Sequence, residues 1–360
     1  MRVVKDQNVL EAAKERISWL FDEFEDIYVS VSGGKDGEVV MYLALEEARK
    51  RGRKIGLFFL DQEFEWQGTI DTIRKWMHLP DVVPYWYQIP IRMSNTSSNL
   101  EPFIDIWNPK RKDSWMREME PDSIKENFCK YDRFHEVVHS FTEYRYKVTG
   151  LKTCELKGLR ADESFNRYTC LTHNVTYKGV TWGGKRKNTF SFSPIYDWKF
   201  EDVWKYIWDN KLEYNPVYDK LYHLGVSPRN MRISNLIHEF AIYETVICQE
   251  IEPDTFDRMA RAVEGVAFTA KLGLEQFIPQ TLPEAFASWK DYRDYLLEHI
   301  VAPEYREGFR KVWGDKPQME KVYRLQAIEC IQSDVGHSAC SRTRLNSRNW
   351  EYAKRKNNGL

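Results

Sequence analysis

At 360 residues the chain holds one large domain or two modest ones. Hydrophobic residues at 42% and charged residues at 30% exclude a wholly disordered polymer, and 14% aromatic residues supply a large core. The formal net charge of −1 argues against bulk attraction to nucleic acid, although not against a local basic patch.

Asn8 to Phe24 sets Leu10, Ala13, Ile17, Leu20, Phe21 and Phe24 on one helical face. IYVSVS (Ile27 to Ser32) is short, β-branched and apolar, the pattern of a buried strand. SGGKDG follows it, then a helical pattern from Glu38 to about Arg51 that Gly52 stops. IGLFFL (Ile55 to Leu60) predicts a second buried strand, Glu65 to His78 a helix, and VVPYWYQIPI (Val82 to Ile91) a third strand. Strands alternating with helices predict βαβ units and a mostly parallel sheet covered on both faces. Regularity then fails between about Met93 and Asn127, where NTSSN, the basic NPKRKD and the acidic REMEPD read as a loop-rich insertion. A helix is predicted over Asp132 to Tyr146, and a fourth strand in KTCELKGLRAD (Lys152 to Asp162) that ends in a polar loop. Tyr168 to Ser193 alternates around GGKRKN and predicts a hairpin. Phe200 to Asn210 is a Trp-rich helix, and from Glu252 onward helical patterns are broken by Pro279, Pro283, Pro303 and Pro317. Ser341 to Leu360 is basic.

No run approaches the ~18 apolar residues of a membrane helix. The first residues carry charges through every turn and lack the apolar core of a secretory leader, so no membrane association is expected. Six cysteines at 129, 154, 170, 248, 330 and 340 form no CxxC pair. Scattered cysteines without an export signal predict a cytoplasmic protein with reduced thiols and no iron–sulfur cluster.

The most informative residues are Ser32, Gly33, Gly34, Lys35, Asp36 and Gly37, between a predicted strand and a predicted helix. Glycines there let the backbone turn and bring N–H groups close to an anion, while the helix points its positive end at the same place. Lys35 adds a full charge and Ser32 a hydroxyl. Asp36 either holds Mg²⁺ shared with phosphates or caps the helix. The loop is neither GxxxxGKS/T nor GxGxxG, and a tight strand-to-helix turn with a surface lysine is the plainer alternative.

SGGKDG resembles the SGGKDS signature of the PP-loop superfamily of ATP pyrophosphatase-like proteins, and above all its phosphoadenosine phosphosulfate (PAPS) reductase branch. FFLDQEFEW (Phe58 to Trp66), GLRADESFNR (Gly158 to Arg167) and SPIYDWKFEDVWKYI with YNPVYDK (Ser193 to Lys220) are similar to three further family segments in the same order. The resemblance covers residues 27 to 220 and does not reach the C-terminal third.

The resemblance implies an α/β, HUP-type, mostly parallel five-stranded sheet with helices on both faces. A C-terminal helical subdomain completes the expected fold. With the residue pattern it gives an expected nucleotide-binding domain over 1–250, with an insertion at about 93–130 and a hairpin at about 168–193 read from the pattern itself. A helical subdomain over 251–333 and a basic tail over 334–360 follow. Ser32, Gly33, Gly34, Lys35 and Asp36 carry over as the phosphate grip. Gly37 stands where the family has serine, which removes a hydroxyl but keeps a backbone N–H. Asp61, at the end of the second strand, is a candidate for ribose or adenine, or else a solvated loop acid. Arg160 and Arg167 carry over as anion-binding residues, because a guanidinium donates two parallel hydrogen bonds to phosphate or sulfate. Asp162 and Glu163 beside Arg160 are its structural alternatives as partners. Trp198, Val203, Trp204 and Ile207 read as core, Asp202 as structural, and Tyr214, Asn215, Pro216 and Tyr218 as a turn lining the pocket.

The chain departs from the reductase branch near its end, where GHSACSRTR contains Cys340 and His337 but not the ECGxH-like pattern. Arg342 and Arg344 are the residues that would lower the Cys340 thiol pKa. His135 and His139 have the spacing of two metal ligands but lack a third, so a solvated helix face is preferred. Trp350 and Tyr352 in the basic tail offer stacking for nucleic acid, and a solvated terminus is the commoner case.

The expected function is adenine-nucleotide binding, with ATP or a PAPS-like nucleotide and Mg²⁺, and cleavage of the α–β phosphate bond to activate an acceptor. Lys35, Asp36 and Arg160 are the catalytic candidates, and Asp36 is the metal candidate. A sulfonucleotide reductase is one alternative. The chain is also similar, more loosely, to PAPS reductase-like regulators often encoded beside a ParB-like protein, which implies a nucleotide-responsive regulator with such a partner. The helical third is a candidate lid or homo-oligomer surface.

Overall fold

The computed structural model describes residues 6–95, 97–98, 101–186, 189–238, 242–272 and 279–332. Cys340, His337 and the basic tail, with its arginines, Trp350 and Tyr352, lie outside the described residues.

Asn8 caps the first helix, α1 (Val9–Glu23), by accepting from the Glu11 amide at 2.9 Å. β1 (Asp26–Ser30) leads through the glycine loop into α2 (Lys35–Lys50). β2 (Ile55–Leu60), α3 (Gln67–Met77) and β3 (Val82–Tyr87) continue the alternation. The third strand is shorter than its apolar run. Ile91–Ser94 forms β4 and pairs with β5 (Phe103–Ile106) in a separate two-stranded sheet. The insertion is therefore partly ordered, and Pro109–Ser114 in it is a 3₁₀ turn.

α4 (Phe134–Thr149) ends at Gly150, whose φ of 71° suits a left-handed cap. β6 (Thr153–Leu156) follows. The expected hairpin occupies only β7 (Gly183–Arg186) and β8 (Thr189–Phe192). Ahead of it, Phe165–Thr172 is a helix, α5, because Ser164 caps it by accepting from the Arg167 amide. α6 (Phe200–Asp209) and α7 (Val217–His223) follow.

The main sheet has the order β3-β2-β1-β6-β8-β7. The five strands from β3 to β8 run parallel, and β7 adds an antiparallel edge. Strand alternation divides its faces. Ile27, Val29, Leu57, Phe59, Cys154 and Leu156 share one core with α1, α2, α3 and α6. On the other face Phe141 of α4 meets Tyr28, Phe58, Tyr85 and Tyr87. The chain goes one way from β1, to β2 and β3, and then crosses back to β6 on β1's other side. A right-handed crossover places the returning α4 on the opposite face from α2 and α3. The order thus reverses between β1 and β6, and in open α/β sheets the ligand crevice lies at such a switch point, beyond the strands' carboxyl ends.

The residues divide into two compact units. One comprises 1–91, 107–110 and 117–234 and holds the main sheet. The other comprises, among the described residues, those within 92–106, 111–116 and 235–332. Within the second are α8 (Ile242–Ile251), α9 (Pro253–Ala262), α10 (Val266–Leu272), α11 (Trp289–His299), α12 (Pro303–Trp313) and α13 (Glu320–Ile331). Pro253 and Pro303 begin helices, where a missing N–H costs nothing, while Pro279, Pro283 and Pro317 stand between them. Leu296, Leu297, Phe309, Trp313, Ala327 and Cys330 form a core of this unit.

Candidate functional site

The loop after β1 turns at Gly33, with φ of 75°. A Cβ added there would lie 2.7 Å from the Thr69 methyl, so the position needs glycine for both conformation and space. The Gly33 carbonyl accepts from Asn215 Nδ2 at 3.1 Å, and the same nitrogen reaches Thr69 Oγ1 at 2.9 Å. Asn215 Oδ1 accepts from the Val217 amide, which fixes the amide plane. Tyr218 accepts from the Lys35 amide at 3.1 Å. The YNPVYDK segment therefore buttresses the loop from below. Asp202 accepts from the Lys199 amide at 2.7 Å and so caps α6. Trp198, Val203 and Ile207 are buried as core.

Gly34 is the N-cap of α2, so Lys35, Asp36 and Gly37 form its first turn. First-turn amides have no intrahelical acceptor and face the crevice end of the helix. Lys35 is only 6% exposed, and its Nζ lies 3.0 Å from Asp36 Oδ2. The ammonium also sits 5.4 Å from the Tyr218 ring centre and 5.8 Å from that of Phe200. Asp36 Oδ1 accepts from Arg160 Nε. Arg160, itself buried, lies in the loop after β6. One carboxylate thus sits between two buried cations, and the loops after β1 and β6 meet on either side of the switch point. Gly158 makes this contact: a Cβ there would fall 2.4 Å from the Asp36 carbonyl carbon and from the Gly37 nitrogen.

Ser32 is exposed at the loop's mouth. Gly37 has room for a side chain, its nearest neighbour for a Cβ being the Ser30 carbonyl at 3.8 Å. Arg167 is exposed on α5, with Nε 3.4 Å from Glu163 Oε2. The fold does not bury it beside Lys35 as it does Arg160.

Asp61 is neither a solvated loop acid nor open to a ribose. It is fully buried. Its Oδ2 accepts from Trp86 Nε1 at 2.9 Å, Gln88 Nε2 at 3.0 Å and Arg117 Nη2 at 2.5 Å, and its Oδ1 from the Glu63 amide at 2.9 Å. Trp107 Nε1 donates to its carbonyl. Arg117 comes from the irregular segment, and nothing local marks it as the partner of an acid at the end of β2.

Asp36 also tests the metal reading. Both of its oxygens accept from cations, and among the described residues no group of three or more His, Cys, Asp or Glu side chains is placed to hold an ion. These residues do not fit a resident metal, and no chemical step is derived through one. His135 is exposed on α4, while His139 borders a cavity beside the sheet.

Sequence reading also missed Glu38, one residue into the helix beyond the loop. It is fully buried, and neither carboxylate oxygen has a hydrogen-bond partner. Burial, with the Glu213 carboxylate adding to it, pushes this carboxyl up to about 9.

The phosphoadenosine phosphosulfate reductase domain model matches residues 26–225, from β1 through α7. The chain belongs to the PAPS reductase domain family. Its glycine loop, the buried Arg160 and the YNPVYDK buttress all fall inside the matched region. A second model, a domain of unknown function (DUF3440), matches residues 225–327 of this PAPS reductase-like chain. The uncharacterized protein YbdN of Escherichia coli (strain K12) is 32% identical over 272 residues, which are 72% of this chain and 66% of YbdN. The adenosine 5'-phosphosulfate reductase of Staphylococcus saprophyticus subsp. saprophyticus is 25% identical over 210 residues, 58% of this chain and 72% of that protein. The crystal structure of PAPS reductase from Candida auris in a phosphate complex aligns with a TM-score of 0.37 at 16% identity, covering 65% of this chain and 97% of that one. The family match and the mostly parallel sheet agree on an α/β fold of the PAPS reductase-like kind. Among the described residues no helix is long and apolar enough to cross a membrane.

Proposed function

We propose that this chain binds the phosphates of an adenine nucleotide at the β1–β6 switch point and cleaves the α–β phosphate bond of ATP, or the phosphate–sulfate anhydride of a related sulfonucleotide, to activate an acceptor. The observation that carries this reading is the Lys35–Asp36–Arg160 arrangement at the mouth of the glycine loop. Two buried cations share a single carboxylate there. An incoming phosphate competes with Asp36 for both of them and adds the first-turn amides of α2.

As the α–β bond breaks, negative charge gathers on the departing pyrophosphate. Lys35 and Arg160 are preorganised to stabilise that charge in a site with little water, where electrostatic interactions are strongest. Mg²⁺ enters in this reading with the nucleotide, as MgATP. Ser32 and the Gly33–Gly34 backbone line the phosphate path in this reading, Arg160 also serves the acceptor or the distal phosphate, and Arg167 on α5 stays a further anion-binding candidate. Residues 1–250 act as the nucleotide-binding part, 251–333 as a helical subdomain and 334–360 as a basic tail.

The experiment is calorimetric titration of ATP, AMP, PAPS and adenosine phosphosulfate side by side, with a pyrophosphate-release assay. Release from ATP that survives Cys340→Ser and is lost in Lys35→Ala supports the reading. Failure of all four nucleotides to bind ends it.

A second reading is supported by the similarity to adenosine 5'-phosphosulfate reductases. It takes a sulfonucleotide as substrate and uses Cys340 as the thiol. Its signature is thioredoxin-dependent sulfite release that disappears in Cys340→Ser. Nucleotide binding without turnover, together with co-purification of a ParB-like protein, supports the regulatory alternative.

A further inference from the structure

The peptide between Gly33 and Gly34 lies at the centre of the glycine loop, and a buried side chain holds it. Asn215 and Thr69 are both fully buried. Asn215 Nδ2 donates to the Gly33 carbonyl at 3.1 Å and to Thr69 Oγ1 at 2.9 Å, and its Oδ1 accepts from the Val217 amide at 3.1 Å. Both polar atoms of this carboxamide thus have partners, and its plane has one orientation.

A trans peptide points its C=O and its N–H in opposite directions, and the described residues contain no cis bond. With the Gly33 carbonyl drawn to Asn215, the Gly34 N–H is aimed away from the buried Asn215–Thr69 pair. Gly34 is part-exposed, and among the described residues no acceptor takes this N–H. The next amide, that of Lys35, is already satisfied by the Tyr218 hydroxyl at 3.1 Å. The Gly34 N–H is therefore a free donor one residue before the buried Lys35.

The backbone itself does little to fix this direction. Gly33 has a φ of 75° and Gly34 a φ of −85°. As it stands, position 34 does not need glycine: its φ suits any residue, and the nearest neighbour of an added Cβ would lie 3.6 Å away. Turning the peptide over carries the φ of Gly34 into the positive range, which glycine adopts at little cost. The flipped loop would present the Gly33 carbonyl, a partial negative charge, where a phosphate needs a donor. We propose that Asn215 is a positioning residue: by holding the Gly33 carbonyl on the packed side of the loop, it keeps the Gly34 N–H presented to a phosphate oxygen. Donors held in place in this way need no reorganisation when charge arrives. This role rests on the nucleotide reading of the loop and names the side chain that orients its backbone donor.

The test uses the two Gly-Gly pairs of the chain, 33–34 and 183–184. In the full chain labelled with glycine carrying ¹³C at the carbonyl and ¹⁵N at the amide, a carbonyl-to-amide correlation NMR spectrum shows those two peptides alone. ATP is expected to move the 33–34 signal and to leave the 183–184 signal in place. Asn215→Asp, whose carboxylate cannot donate to a carbonyl, is expected to move the 33–34 signal before any ligand is added. It should also weaken ATP binding about tenfold by calorimetry, in line with the loss of one hydrogen bond to a charged group. Thr69→Val removes the other acceptor of the same nitrogen, keeps the Gly33 bond, and should bind ATP with nearly the parent affinity. If ATP does not bind the parent chain, the nucleotide reading fails and this role with it. If ATP binds and the 33–34 signal stays in place, the proposal alone is overturned, whether or not the variants fold. Parent affinity in Asn215→Asp, or a loss in Thr69→Val as large as that in Asn215→Asp, overturns it as well.

Discussion

Arg160 donates its Nε to Oδ1 of Asp36, a residue 124 positions earlier in the chain. The pair joins the loop after β6 to the first turn of α2, and through Asp36 it reaches Lys35. Without a phosphate, Asp36 supplies the negative charge that both cations need.

Asp36→Ala is expected to lose about 3 kcal/mol of stability, because removing one partner of a buried pair leaves uncompensated charge. Millimolar pyrophosphate should then raise the unfolding temperature of the variant more than that of the parent chain, since an anion that binds only the folded state stabilises it. Thermal unfolding with and without pyrophosphate measures both effects. Equal shifts in the two proteins would show that the cations do not receive phosphate.

Two glycines of the site should behave in opposite ways. Gly158→Ala forces a methyl against the backbone of Asp36 and Gly37, and is expected to cost more than about 4 kcal/mol or to prevent folding. Gly37→Ser finds open space and gains helix propensity, so it should be neutral or stabilising by a few tenths of a kcal/mol, with nucleotide affinity kept. Urea unfolding of both variants decides. Comparable losses would contradict the packing of β6's loop on α2.

Asp61→Ala should lower stability by about 3–5 kcal/mol, since it strands Arg117 and removes the acceptor of Trp86 and Gln88. A variant within 1 kcal/mol or so of the parent that binds nucleotide poorly would return Asp61 to the ligand.

Glu38 should give stability a slope with pH. Its folded pKa of about 9 lies above the ordinary value of 4.5, so the folded chain holds this proton more tightly than the unfolded chain does. The resulting stability is fully present below pH 4.5 and is lost as pH rises through 9, at up to about 1.4 kcal/mol per unit. Glu38→Gln removes the slope. Urea unfolding of both proteins at several pH values between 5 and 8.5 should show a difference that grows with pH, and a constant difference refutes the assignment.

The amino-acid pattern alone determined the alternating strands and helices and the glycine loop between β1 and α2. These are legible because they are local: apolar runs set strands, periodicity sets helices, and glycines set a turn that needs close backbone approach. Tertiary structure alone decided which carboxylate meets Arg160, that Asp61 faces inward to Arg117, and that Glu38 is buried with unpaired oxygens. An acid has the same letter whether it is solvated, paired or buried. Its role depends on desolvation and on donors brought from distant positions, and only the crossing of β6 beside β1 and the folding of the irregular segment supply those.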